Sequence, residues 1–318
     1  MKKIYSLMIG LLFVGGVAMA QKHVDVPVGT AEIDGVIEDA WDVCPEQAID
    51  LPYTTEVPTV TSFFKVMYDN DNFYVVVNVI DEGNHYPGWE SGGNNWEYDK
   101  PEIYWDWNEV LIDGVGAGTN LSGHYQLADG FLEDSYDVPI VKTPTAAGDR
   151  NPGGTYCYSL SGEDYVYEMA VPFVNFYDKD GVQITAEVAK AKAAFGFDAT
   201  IIDQDEGITT ARQRAVWSAK DVECWNSMDG AGTAKLKPGS ANNMSVSKLS
   251  VSPNPAVSNV TINADFNRVV ISNILGQQVK DVTVSSKNLN ISDLSKGVYV
   301  VKAYKNSKLV GTAKVTKK

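Results

Sequence analysis

Residues 63–81 read FFKVMYDNDNFYVVVNVID, two β-branched and aromatic runs around Asp69-Asn70-Asp71-Asn72. Short polar side chains bond their own backbone in tight turns, so this segment predicts a β-hairpin. Residues 102–106 (EIYWD), 109–112, 123–128, 166–171 and 194–202 predict further strands. Helical patterning is confined to two short stretches, one opening near Asp34 with Glu38, Ala40 and Trp41, the other over 185–191. Many short strands separated by Gly, Asp and Asn turns predict an all-β chain folded as an antiparallel β-sandwich.

The pattern breaks at 237–247 (KPGSANNMSVS), a stretch almost without apolar residues that reads as a linker. Short alternating runs resume at 249–251, 260–263, 269–273, 279–284, 297–304 and 309–315, with turns at Pro253-Asn254-Pro255, Gly276 and Asn306-Ser307. These predict a second, smaller sandwich of the immunoglobulin/fibronectin-like kind. At the other end, Lys2 and Lys3 precede an apolar run from Leu7 to Val17 and an exit at Ala18-Met19-Ala20. A basic n-region, a short apolar core and an A-x-A exit describe a secretory signal peptide cleaved after Ala20, too short to be a membrane anchor. The expected organisation is therefore 1–20 signal peptide, 21–237 main sandwich, 238–247 linker and 248–318 C-terminal module.

Charge divides the chain in the same place. The 318 residues carry a net charge of −15, but residues 246–318 hold eleven basic and three acidic residues, a net of +8, while 21–245 stand at −25. All seven Trp lie before residue 226. The acidic balance argues against nucleic acid as a partner, because phosphate contacts need Lys and Arg. Secretion permits one disulfide among Cys44, Cys157 and Cys224, and spacing does not choose the pair. No C-x-x-C motif exists, and His23, His85 and His124 are not spaced with cysteines as in a zinc site.

The tail carries SVSPNP (250–255), VVISNILGQQV (269–279), LSKGVYVVKAYKN (294–306) and a closing basic strand ending at Lys318. In that order these pieces resemble the C-terminal sorting domain of the type IX secretion system. The resemblance implies export across a Gram-negative outer membrane by that machinery, to the cell surface or the extracellular medium, usually with removal of the domain.

The acidic module opens with IDGVIEDAW (33–41) and continues with VMYD (66–69), WEYDKPEIY (96–104), YEMAVPF (167–173), FGFD (195–198) and VWS (216–218). This succession is similar to the family 9 carbohydrate-binding modules. The residues themselves suit sugar. Sugar rings need exposed aromatic planes for their C–H faces and carboxylates or amides for their hydroxyls. Residues 85–108 place Trp89, Trp96, Trp105 and Trp107 among Glu90, Glu97, Asp99 and Glu102, and the Gly/Asn-rich 88–95 stretch puts Trp89 and Trp96 on a loop. Trp105 and Trp107, two apart, share one strand face and read as core packing.

The resemblance implies a slot between two Trp rings, with Trp96 and Trp225 at the stacking positions and Glu102 as a hydroxyl-binding carboxylate. Gln126 stands where the family commonly has a basic side chain, and Asp221 and Val222 stand where it has an Asn. Asp99 reads as a loop anchor through backbone N–H groups. The fold also implies calcium, and Asp203 and Asp205 offer hard oxygen ligands in an acidic turn. The expected function is a non-catalytic binder of a polysaccharide or oligosaccharide. A surface adhesin of the same fold without a sugar slot is one alternative. A glycoside hydrolase is another, since carboxylate pairs are abundant, and an electron carrier with a Met, His or Lys axial ligand to haem is a third.

Overall fold

The computed structural model describes residues 21–318 apart from 88–93, 120–121, 133–134, 147, 206–211, 239–246, 284–285 and 306–307. The signal-peptide reading, Trp89 and most of the linker therefore fall outside the described residues. Among the described residues no helix is long and apolar enough to cross a membrane.

The hairpin around Asp69 forms as the pattern predicts. β4 (Val60–Tyr68) and β5 (Asn72–Asp81) pair from Val60↔Asp81 to Tyr68↔Phe73. Asp69 closes the turn by accepting the backbone N–H groups of Asp71 and Asn72, both at 2.8 Å. The first residues supply β1 (His23–Val26), β2 (Gln47–Ile49) and β3 (Leu51–Pro52). Then come β6 (Lys100–Asp106), β7 (His124–Leu127), β8 (Ile140–Lys142), β9 (Gly154–Ser161), β10 (Asp164–Pro172), β11 (Phe195–Asp203), β12 (Gln213–Val216) and β13 (Gly232–Leu236).

One antiparallel sheet runs β2-β4-β5-β10-β9-β8. In the facing sheet β6 lies between β7 and β11, and β11 continues to β13 and the parallel β1 along its first half and to β12 and β3 along its second. The predicted strand at 109–112 does not form. Val110 and Ile112 are exposed there, because the chain leaves the sheet after Asn108 and has no partner strand among the described residues. The helix expected near Asp34 is a 3-10 turn over Asp39–Val43 that buries Trp41. The second helix, α1 (Ala186–Ala191), is capped by Thr185, whose hydroxyl accepts the Val188 N–H.

Aromatic rings fill the space between the sheets. Phe64, Phe73, Trp105, Trp107, Phe197 and Trp217 are buried, and Trp107 stacks on Phe195 at 4.3 Å between centroids. Packing is tight enough to dictate Gly232, where a Cβ would lie 2.2 Å from the Trp217 ring. Asp198 ties three segments together inside this region. It accepts the N–H groups of Ala199, Ser218, Ala219 and Gly232 while burial pushes its carboxyl up to about 7. Cys44, Cys157 and Cys224 are all buried free thiols, so the disulfide that secretion permits is absent. Burial raises the Cys44 and Cys157 thiols to about 12, which leaves them inert.

The C-terminal module is β14 (Ser247–Lys248), β15 (Val251–Ser252), β16 (Asn259–Ile262), β17 (Arg268–Asn273), β18 (Gln278–Thr283), β19 (Asn288–Asn290), β20 (Gly297–Lys305) and β21 (Lys308–Lys317). A five-stranded sheet, β14-β21-β20-β17-β18, faces the three-stranded sheet β15-β16-β19 over Val260, Ile262, Ile271, Ile291 and Val301. Val36 of the larger sandwich packs with Ile274 and Val300 of the smaller.

Candidate functional site

Alternation along β6 builds the floor of the site. Ile103 and Trp105 point into the core, so Lys100, Glu102 and Tyr104 share the opposite face of the sheet. Gln126 of β7 pairs with Tyr104 and lies beside it on that face. The four form a polar rack. Gln126 Nε2 donates to the Tyr104 hydroxyl at 2.8 Å, and that hydroxyl donates to Glu102 Oε2 at 2.7 Å. Burial raises the Tyr104 hydroxyl well above its ordinary range, so it stays a proton donor to Glu102. Glu102 is thereby aimed with one oxygen held and the remaining acceptor capacity facing the cavity.

The rack opens into a cleft of about 1050 Å³ whose walls carry Trp96 and Trp225. Trp96 is half exposed, at 50 %, on a 3-10 turn over Asn95–Glu97. Asn94 and Glu97 close that turn as a capping box. Trp225 is half buried and is clamped from behind by Gly116-Ala117-Gly118. Ala117 and Gly118 donate their N–H groups to the Cys224 and Trp225 carbonyls at 3.1 and 2.7 Å. A Cβ on Gly118 would come within 2.9 Å of the Trp225 indole nitrogen and its carbonyl oxygen, so only glycine allows this approach. Arg212 is a strut between the two walls. One guanidinium nitrogen donates to the Trp96 carbonyl and the other to Glu223 at 3.2 Å, two residues before Trp225.

Trp96, Glu102, Gln126 and Trp225, expected from the sequence, thus line one cleft, and Trp105 and Trp107 are core. Lys100, Arg150, Arg212 and Glu223 also line it, and sequence reasoning missed all four. Lys100 was within reach of the alternation argument, two residues before Glu102. Arg150 and Arg212 come from remote loops and carry no local signal. Arg150 places its guanidinium 4.7 Å from the Trp225 ring centroid, and its carbonyl accepts the Gln126 N–H at 2.8 Å. A cation therefore stands next to the Gln126 position, supplied by another loop.

Asp99 anchors the base of the Trp96 turn as expected, accepting the Tyr86 N–H and, at 2.7 Å, the Gln204 N–H. It also joins Asp81 and Asp203 in a buried acidic cluster whose oxygens lie within 4.8 Å of one another. Asp203 is part of this cluster. Asp205 stands outside the three-carboxylate group and accepts from Asn84 N and Thr59 Oγ1, both at 3.1 Å. Asp81 is 7 % exposed, and its Oδ2 has no hydrogen-bond partner among the described residues. The Tyr165 hydroxyl, raised first by burial and then by the charges of Asp99, Asp81 and Asp203, is likewise buried without one. Burial pushes Asp99 up to about 9 and Asp81 to about 6. One oxygen of this cluster, Asp81 Oδ2, is left without a partner, and no Lys or Arg pairs with the three carboxylates among the described residues, so hard oxygen donors of the kind a divalent ion binds converge here. Of the histidines a haem could use, His85 is half-buried between Phe131 and Tyr165 and His124 is buried against Asp106.

A family model described as carbohydrate family 9 binding domain-like matches residues 33–238. The chain belongs to that family. Residues 250–318 match the secretion system C-terminal sorting domain, which assigns this family 9-like protein to type IX export and to the cell surface or extracellular space. Among solved structures, a family 9 carbohydrate-binding module from Caldicellulosiruptor kristjanssonii in complex with cellotriose is 16 % identical, with a TM-score of 0.48 over 71 % of this chain and 98 % of that one. A second structure from that organism, a family 9 module in complex with glucose, gives 16 % identity and a TM-score of 0.47 over 70 % and 100 %. A comparison with curated proteins returns no match.

Proposed function

We propose that the larger sandwich is a non-catalytic binder of a polysaccharide or oligosaccharide, displayed or released by the type IX route, that holds a sugar between Trp96 and Trp225 over Glu102 and Gln126. The observation that carries the reading is the half-exposed indole of Trp96 on the same cleft as Trp225, above a rack of fixed hydrogen-bonding groups. Large aromatic planes left in water beside oriented polar groups are costly unless a ligand covers them. Sugar C–H faces fit the rings, and the hydroxyls find an acceptor in Glu102 and both donor and acceptor in Gln126.

Binding rather than hydrolysis is supported by the state of the carboxylates in the cleft. Glu102 is held by Tyr104, Asp129 by Lys142 and Asn151, Asp149 by Thr145, and Glu223 by Arg212 and Arg214. A hydrolase needs one carboxyl kept protonated beside a second that is free to attack or to activate water. The calcium implied by the fold is assigned in this reading to Asp81, Asp99 and Asp203, with charge neutralisation at the base of the Trp96 turn as its contribution. The test is binding of the protein to glucans, xylans and mannans, soluble and insoluble, together with a search for released sugar. Failure to bind every polymer would overturn the binding reading, and sugar release would overturn its non-catalytic part.

A further inference from the structure

Resting on the reading of this cleft as a sugar slot, we propose that it selects a sugar residue bearing a carboxylate, a hexuronic acid unit of an acidic polysaccharide. Four cationic side chains line the cleft: Lys100, Lys142, Arg150 and Arg212. Two of them are neutralised in place, Lys142 by Asp129 and Arg212 by Glu223. Lys100 and Arg150 form no ion pair among the described residues. Lys100 is 1 % exposed, and its ammonium makes a single hydrogen bond, to the Ala128 carbonyl at 2.9 Å. An ammonium has three donors, so two remain unused at the cleft floor. Arg150 is exposed and its guanidinium lies over the Trp225 ring, so a sugar seated at that ring meets it.

The nearest carboxylates relieve these charges only in part: Glu102 and Asp129 act on Lys100, and Asp149 on Arg150, through space and without a contact ion pair. Glu102 is held by Tyr104, and Asp149 by Thr145 and by the Asn151 N–H at 3.3 Å. A buried ammonium without a carboxylate partner is costly, and burial accordingly lowers the proton affinity of Lys100. Neutral hydroxyls restore hydrogen bonds to such a group but not its lost counter-charge. A ligand carboxylate supplies both, and the Arg150 fork matches it in two-pronged geometry. Selectivity has a second source in the surrounding field. Residues 21–245 carry a net charge of −25, so the module as a whole disfavours polyanions and the cations of the cleft supply the local attraction.

The experiment is calorimetric titration of the full chain with uronate-containing polysaccharides and with the same polymers after reduction of their carboxylates to alcohols. At least one acidic polymer is expected to bind about tenfold or more tighter than its reduced form, the scale of one charge-assisted hydrogen bond. That preference should shrink in about 0.5 M NaCl. Arg150→Gln, an exposed change that leaves the fold intact, is expected to remove most of the preference, and Lys100→Met the remainder. Equal or tighter binding of the reduced forms would overturn the proposal and leave sugar binding standing. A preference unchanged in both variants would also overturn it, placing the attraction in the basic tail. Binding to neither form, nor to any neutral glycan, would remove the sugar reading as well.

Discussion

Trp96→Ala separates a ligand platform from a structural anchor. The indole is 50 % exposed and makes no side-chain hydrogen bond among the described residues, while its backbone carbonyl, which the substitution keeps, receives Arg212. An aromatic side chain of this size offers about 200–250 Å², so about 100 Å² of Trp96 lies in water and is available to a sugar face. At about 25 cal/mol per Å², covering that surface contributes about 2.5 kcal/mol, or roughly sixtyfold in Kd. Partial coverage sets a lower bound of about tenfold. The exposed half gains nothing from folding and the buried half contributes about 2.5 kcal/mol at the same coefficient, so the same substitution should lower the unfolding free energy by no more than about 2.5 kcal/mol. The assay pairs calorimetric affinity for a bound glycan with urea unfolding of the same preparation. Unchanged affinity would refute the platform role. A stability loss of several kcal/mol would mark Trp96 as an anchor whose effect on binding is indirect.

Gly118→Val should weaken glycan binding as strongly as Trp225→Ala, because the added side chain displaces the ring it touches; wild-type affinity would refute the clamp. Calcium at a hundredfold above its Kd should raise Tm by about 5–10 °C, and Asp81→Asn should abolish the shift; scans that coincide in calcium and in EDTA would contradict the site. Asp198 is raised from 3.8 to about 7, so its protonation stabilises the fold fully below about pH 4 and that contribution is lost as pH rises through 7. Wild type should therefore lose stability relative to Asp198→Asn between pH 4 and 8, and a gap moving the other way in pH-dependent urea melts would refute the assignment. Gly232→Ala should cost about 1–3 kcal/mol by driving a methyl into Trp217, checked by urea unfolding and contradicted by a neutral result.

The strands that were legible are those whose neighbours in sequence are neighbours in space. The 60–81 hairpin has its turn chemistry on Asp69 and its alternation on both arms, so local pattern was sufficient. β1 and β13 pair in parallel across more than two hundred residues, and neither has a turn beside it to announce the pairing. Residues 109–112 show the opposite failure. Their apolar side chains fit a strand, but pattern cannot report that no partner exists among the described residues. In the site, Trp96 and Glu102 were readable because one turn and one strand hold them. The cleft's charge was not, since Arg150 and Arg212 arrive from loops whose only link to Trp225 and Trp96 is tertiary. The acidic cluster behaved likewise. Asp203 was visible in its turn, but Asp81 and Asp99 join it from the end of β5 and the approach to β6.

Trp41, Trp105, Trp107 and Trp217 are buried, whereas Trp96 and Trp225 reach the cleft. The central claim is therefore most directly tested by following indole N–H resonances in a nitrogen-15 correlation spectrum during titration with a bound glycan, assigned through Trp96→Phe and Trp225→Phe. The account predicts that the Trp96 and Trp225 signals move together and saturate at the calorimetric Kd while those of the four buried rings stay in place. Saturating glycan with both signals unmoved would contradict it.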